Sequence, residues 1–287
     1  MTISESSNQL IKDFEAALNL DGHPHSGQPL FAGVDLGTAY IVTAVVDSRG
    51  TPLAGALTRS RASIRDGLVL DYVGSITILR QQVEMLRRSG FPLQLASAAF
   101  PPGTTGKNAQ AFGNVLQAVG LDVAGLTDEP TAASLVLDID EGAVVDIGGG
   151  TTGISVIQNG EVVYTADEPT GGIHVDLVLA GHYRIDEHEA ESIKTDSVRQ
   201  AEIFPLIQPV FQKMASIVKQ HLQGYPVKTL YLVGGTSCFP GIERVMEAET
   251  GLTVARPHNP LLVTPLGIAL SCLKENAVEL RAETEGK

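Results

Sequence analysis

Two segments of the chain follow one plan, 111 residues apart: VDLGTAYIVTAVV over 34–46 and VDIGGGTTGISVI over 145–157. Each is an apolar strand ending in Asp, then a Gly/Thr-rich turn, then a second apolar strand leading to a tight hairpin turn. Asp47-Ser48-Arg49-Gly50 supplies that hairpin turn in the first copy and Asn159-Gly160 in the second. A repeat of this length predicts two related lobes. Glycines in the turns let backbone N–H groups converge on an anion with no Cβ in the way, and the hydroxyls of Thr38, Thr151 and Thr152 add donors. An Asp directly before each turn would repel bare phosphate. It makes sense if a cation sits between them, so Asp35 and Asp146 are candidate Mg²⁺ ligands, directly or through water. Two such hairpins facing across a cleft would clamp the β- and γ-phosphates of a nucleotide.

Gly148-x-Gly150-x-x-Gly153 also fits the dinucleotide fingerprint, which needs a helix straight after its glycines. Here Ile154-Ser155-Val156-Ile157 and Asn159-Gly160 follow, a strand and a hairpin, so that reading fails. No G-x-x-x-x-G-K-[ST] loop occurs.

Around the repeat the signals alternate between strand and helix, which predicts an α/β chain. Helices are expected over 72–90, 108–119, 186–196 and 206–222, near Pro130, after Gly171-Gly172 and from 240, and strands over 93–100, 121–127 and 228–235. Residues 1–29 differ. Leu10, Ile11, Phe14, Ala17 and Leu18 form an apolar stripe with Ser7 as the expected cap, and 21–29 reads as a linker. The expectation is an arm packed on its own body; the alternative is a helix docking a partner. The expected division is the arm and linker (1–29), lobe I (30–143, with 263–273 returning to it), lobe II (144–262) and a charged, fraying tail (274–287).

At roughly 100–200 residues per domain, a length of 287 allows one large domain or two lobes. The net charge of −13 argues against sequence-independent nucleic-acid binding and against an anionic membrane surface. No run reaches the ~18 apolar residues of a membrane span, and the polar start MTISESSNQL does not read as a secretory signal. Cys238 and Cys272 are too few for a disulfide framework or a Cys-rich zinc site and read as buried thiols, so a reducing cytoplasm is expected. His182 through Glu189 is a metal-site candidate or a polar helix. Arg59, Arg61 and Arg65 before Asp66-Gly67 form a basic patch read as a solvated face. His174 is either in the cleft or structural.

DEPTAAS (128–134), GGIHVD (171–176) and YLVGGTSCFPGI (231–242), with the two hairpins, resemble the five-part nucleotide site of the actin/DnaK chaperone/sugar-kinase superfamily. IRDGLVLDYVG (64–74) and HNPLLVTPLG (258–267) are similar to the bacterial actin homologue MreB. The set FPPGT, DEPTAA, VVDIGGGTTGI and ADE-T-GG-H resembles the EutJ family of ethanolamine-utilisation proteins, chaperone-like members of the superfamily. The resemblance implies a two-lobed actin-like ATPase fold, each lobe a ribonuclease-H-like mixed sheet flanked by helices. It implies ATP/ADP and Mg²⁺ as ligands. Asp35, Gly37, Thr38, Ala39 and Tyr40 fall on the first phosphate motif, and Asp146, Gly148, Gly149, Gly150, Thr151 and Thr152 on the second. Glu129 would orient water or metal, with Asp146 as the other catalytic candidate. Gly171 and Gly172 open a helix toward the site, Glu191 and Lys194 reach ribose and base, and Gly234, Gly235 and Thr236 form the adenosine turn.

The sequence departs from the DnaK pattern where Cys238 replaces an adenine-stacking Arg, Ala39 a Thr and Leu261 an Asp, and no counterpart of the catalytic Lys appears. The implied function is an ATP-binding chaperone-like or assembly factor of the ethanolamine-utilisation microcompartment. It would be at most a slow Mg-dependent ATPase switched by lobe closure, with a client enzyme or shell protein as partner. A small-molecule kinase and an actin-like filament former are the alternatives.

Overall fold

A computed structural model describes residues 3–19, 27–60, 64–65, 68–69 and 71–285. Arg61, Asp66, Gly67 and most of the expected linker lie outside these residues. The chain forms two compact units. One comprises Asp140–Leu261; the other runs from Ile3 to Ile139 and resumes at Leu262.

The second unit opens with helix α1 (Glu5–Ala17). Ser4, not Ser7, caps it, accepting from the Ser7 N–H at 3.0 Å. Ser7 sits one turn inside the helix and is buried. Ile11 and Phe14 are fully buried. Phe14 and Leu18 lie over Gly55, where a Cβ would approach them to 2.6 and 2.8 Å. The arm is therefore packed on its own unit. Strands β1 (Phe31–Leu36), β2 (Tyr40–Val46) and β3 (Pro52–Arg59) follow, with a small hairpin of β4 (Ile64–Arg65) and β5 (Leu68–Val69). After α2 (Tyr72–Arg88), β6 (Leu95–Phe100), α3 (Lys107–Ala118) and β7 (Asp122–Asp128), helix α4 (Glu129–Leu137) closes this stretch. The sheet order is β3-β2-β1-β6-β7. The β1–β2–β3 pairs are antiparallel and the β1–β6–β7 pairs parallel. Leu79, Val83, Leu86, Phe112 and Leu116 from α2 and α3 fill the core on one face.

The other unit carries β8 (Gly142–Ile147), β9 (Thr152–Gln158) and β10 (Glu161–Glu168), then α5 (Gly172–Tyr183), α6 (Glu187–Thr195) and α7 (Gln200–His221). Strand β11 (Thr229–Val233), a 3₁₀ turn (Gly235–Cys238), α8 (Ile242–Thr250) and β12 (Thr253–Ala255) complete it. The order β10-β9-β8-β11-β12 and its strand directions repeat those of the first sheet. The repeat read from two Asp–Gly–Thr segments is thus a repeat of whole sheets. Helix α7 starts six residues before its expected beginning and contains Pro205 and Pro209. Neither proline can donate to the carbonyl four residues back. Ile203, Ile207, Phe211, Met214 and Val218, all fully buried, hold the helix together across that loss.

Helix α9 (Val263–Glu285) returns to the unit that holds α1 and β1. It lies so close to α4 that a Cβ on Gly267 would run into the Ala132 carbonyl, and Gly33 of β1 meets the Ala269 backbone in the same way. Through Glu285 the charged tail continues α9. Its first half is anchored by Ile268, Ala269 and Cys272, and strong helix formers extend it. Among the described residues no helix is long and apolar enough to cross a membrane.

Candidate functional site

In the Asp140–Leu261 unit, β8 and β11 run parallel with Val233 beside Asp146, so both end at the same edge of the sheet. Ligand sites of α/β sheets form at such edges, where strand order reverses. The turn after β8 closes on itself, with Gly148 N donating to Thr151 O at 3.0 Å. Two further groups fix it from outside. Gly172 N and Thr236 Oγ1 both donate to the Gly148 carbonyl, at 3.0 and 2.8 Å. Ile173 N donates to the Gly149 carbonyl at 2.8 Å. With their carbonyls so engaged, the N–H groups of Gly149 and Gly150 meet no acceptor among the described residues. Glycine-turn N–H groups without a protein acceptor are the kind of donor an anion can use.

Glycine is required under this turn. A Cβ on Gly171 would stand 2.7 Å from the Gly149 oxygen and the Gly150 carbonyl carbon. His174, one turn into α5, accepts the Gly171 N–H at 3.3 Å, a structural role. Thr152 is buried and its hydroxyl donates to the Thr170 carbonyl at 2.5 Å. Gly234, at φ +87°, lies directly against the Asp146 carboxylate, and its N–H donates to Pro260 O at 3.0 Å. Lys194 Nζ donates to the Gly172 carbonyl at 3.3 Å, and Glu191 stands one turn earlier on α6. The Gly148–Thr151 turn, the Gly171-Gly172 pair, Lys194 and the Gly234–Thr236 turn therefore form one connected junction, although 88 residues separate Gly148 from Thr236.

Asp167, at the end of β10, joins this junction and was not among the sequence candidates. Its Oδ1 is buried without a hydrogen bond. Burial pushes its carboxyl up to about 6, the Thr151 hydroxyl opposes this, and the charges of Asp146 and Glu168 add to it. Glu168 is held by His221 Nε2 at 2.8 Å, and His221 Nδ1 by the Tyr164 hydroxyl at 2.7 Å. The only sequence signal for Asp167 was its place in the ADE-T-GG stretch.

A Mg²⁺ ion fits this donor set. Asp146 and the orphaned Asp167 oxygen offer hard oxygen ligands. Among the described residues no group of three or more His, Cys, Asp or Glu could enclose a metal. Mg²⁺ commonly binds through one or two carboxylates, with waters and phosphate oxygens completing its shell.

In the other unit, Asp35 is the penultimate residue of β1, Gly37–Ala39 make the turn and Tyr40 starts β2. A Cβ on Gly37 would reach the Tyr40 carbonyl at 2.7 Å, and Ser60 N donates to Ala39 O at 2.8 Å. Glu129 follows β7 at the first position of α4. The Asp128 carboxylate caps that helix through Thr131 N and Oγ1 at 2.9 and 2.7 Å. Because β1, β6 and β7 are parallel, Asp35 and Glu129 lie toward one sheet end, two strands apart.

Two sequence readings need correction. His182–Glu189 is not one helix: His182 lies in the last turn of α5, and Asp186 caps α6 through Glu189 N. Cys272 is buried, with its thiol pushed up to about 11 by burial, but Cys238 is only half-buried, facing Asn259.

Paired sheets of one strand order, each with an Asp–Gly–Thr turn at its switch point, define an actin-like ATPase fold. The family of MreB/Mbl proteins matches residues 58–196 and that of the type IV pilus assembly protein PilM residues 133–269. MreB5 of Spiroplasma citri bound to AMPPNP is similar with a TM-score of 0.71 and 17% identity, covering 91% of this chain and 100% of that one. Ethanolamine utilization protein EutJ of Carboxydothermus hydrogenoformans is similar with a TM-score of 0.86 and 46% identity, covering 92% of this chain and 97% of that one. Ethanolamine utilization protein EutJ of Salmonella typhimurium is 42% identical over 248 residues, 86% of this chain and 87% of the relative. The chain belongs to the EutJ family.

Proposed function

We propose that the protein is an adenine-nucleotide-binding, chaperone-like or assembly factor of ethanolamine utilisation, working at the bacterial microcompartment. The observation that carries this reading is the junction around Gly148, which engages the turn's carbonyls and leaves the Gly149 and Gly150 N–H groups without acceptors. The structural likeness to an AMPPNP-bound MreB5 supports the choice of ligand, and the names of its relatives support the biological setting. The Gly148–Thr152 turn takes phosphate, Asp146 with Asp35 takes Mg²⁺, and Glu129 orients the attacking water. Glu191 and the Gly234–Thr236 turn take the nucleoside, and Asp35 to Tyr40 form the second phosphate contact. Nucleotide occupancy acts as a switch through lobe closure, with hydrolysis slow because the sequence has no counterpart of the DnaK catalytic Lys. The client is an enzyme or shell protein of the compartment. Calorimetric titration with ATP and ADP, with and without Mg²⁺, tests the reading. Binding that depends on Mg²⁺ is expected, and no heat up to millimolar nucleotide overturns it.

A further inference from the structure

Asp176 lies one turn into α5, nearly buried; it closes the GGIHVD stretch, where the sequence assigned it no role. Its Oδ2 receives Lys194 Nζ at 2.7 Å, with the two side chains 10% and 16% exposed. Its Oδ1 is buried and has no hydrogen-bond partner. The same ammonium donates to the Gly172 carbonyl at 3.3 Å. Gly172 in turn donates its N–H to Gly148 O, which also receives Thr236 Oγ1. A Cβ on Gly172 would lie 2.5 Å from Thr236 Oγ1 and 3.3 Å from Lys194 Nζ, so the glycine is wedged between the two.

A buried ion pair with one carboxylate oxygen left unsatisfied is a poor source of stability, because desolvation takes back most of the Coulomb gain. Its use is to fix a geometry. If Lys194 swung away to a ligand, Asp176 would be stranded as an unpaired buried charge. The ammonium is therefore held in place, and what it holds in turn is the Gly172 peptide.

We propose that Asp176 is a positioning residue: by fixing Lys194 on the Gly172 carbonyl it locks the Gly148–Gly172–Thr236 junction in the shape that turns the Gly149 and Gly150 N–H groups toward phosphate. The ligand part of this inference rests on the nucleotide reading above; the locking part does not. It also changes the role of Lys194, from a group that reaches ribose and base to a fixed post.

The test uses the full chain with Asp176→Asn, Lys194→Met, the double variant and Lys194→Arg, whose fork can serve both Asp176 and the Gly172 carbonyl. Amide hydrogen exchange is read first, without nucleotide. Asp176→Asn is expected to accelerate Gly172 and Ile173 about tenfold or more, the loss of one charge-assisted contact, while Leu232 in the sheet stays as in the wild type. ADP titration is read second. Asp176→Asn and Lys194→Met are each expected to weaken binding about tenfold, the double variant no further, and Lys194→Arg to bind as the wild type does. Wild-type exchange at Gly172 and Ile173 in Asp176→Asn overturns the proposal, as does uniform acceleration across the unit or multiplication of the two effects in the double variant. If exchange responds as expected but the wild type binds no ADP, the lock stands and the nucleotide reading falls.

Discussion

A carboxyl group whose charge is disfavoured by folding announces itself in the pH dependence of stability. Asp167 is such a group, pushed up to about 6 by burial and by the charges of Asp146 and Glu168. In the unfolded chain it titrates near 3.8. Above pH 6 it is ionised in both states and the folded unit bears the penalty. As pH falls from 6 toward 4, the folded state takes up the proton first, so this group's contribution to stability rises on acidification. Asp167→Asn is therefore expected to raise the melting temperature at pH 8, by about 2–4 °C for each kcal/mol recovered, with the difference gone near pH 4. A thermal melt at the two pH values checks it. Gly171 sets a second prediction. Gly171→Ala would press a methyl into the Gly149 and Gly150 backbone, which cannot yield without reshaping the phosphate turn. A loss of about 1–3 kcal/mol in denaturant unfolding is expected, with nucleotide affinity falling alongside. The two strand–turn–strand segments were legible because their Asp, Gly and Thr pattern is local. Asp167 and Asp176 were not, because what they do depends on groups in other elements, Asp146 and Lys194.

At the scale of elements, legibility followed whether the cause of a fold was local. The three-strand meanders were readable from alternation and from Asn159-Gly160, which takes φ values of 53° and 74° in its turn. Helix α7 begins six residues before the expected 206, because the buried stripe that carries it across Pro205 and Pro209 is a tertiary effect. Helix α9 was not among the expected helices, and the close approach that requires Gly267 against α4 and Gly33 against α9 is a tertiary effect as well. Helix α1 was visible as a stripe, but its berth over Gly55 was not. That berth makes a prediction. Phe14 is fully buried, and a 13-residue helix is marginal alone, so packing on β3 supplies its stability. Phe14→Ala is expected to cost about 3–5 kcal/mol, and removal of residues 1–19 should lower the melting temperature of the unit it covers. An unchanged melting temperature for both variants would mean that the arm does not hold this unit.

For the whole molecule, the proposed nucleotide reading makes the duplicated sheet and the overall charge act together on a phosphate ligand. On that reading each unit would meet phosphate at a sheet end with carboxylates beside it: Asp35 and Glu129 in one, Asp146 and Asp167 in the other. The chain as a whole carries −13. A basic phosphate site loses affinity as salt rises, because long-range attraction is screened. Here the sign is reversed. A nucleotide without metal approaches a field of its own sign, and screening at a Debye length of about 10 Å in 0.1 M salt weakens that repulsion while leaving contacts at the turn largely intact. ATP alone is therefore expected to bind no more weakly, and somewhat more tightly, at 0.2 M than at 0.02 M salt. Mg²⁺ should strengthen binding at both, since it cancels ligand charge and bridges to the carboxylates. Asp146→Ala should remove most of that Mg²⁺ effect, about tenfold or more for a charge-assisted contact worth roughly 1.5–3 kcal/mol. Calorimetry at the two salt concentrations, with and without the metal, reads all three quantities. Affinity for free ATP that falls steeply with salt would mean that a cationic surface, not the Gly148 turn, receives the phosphates.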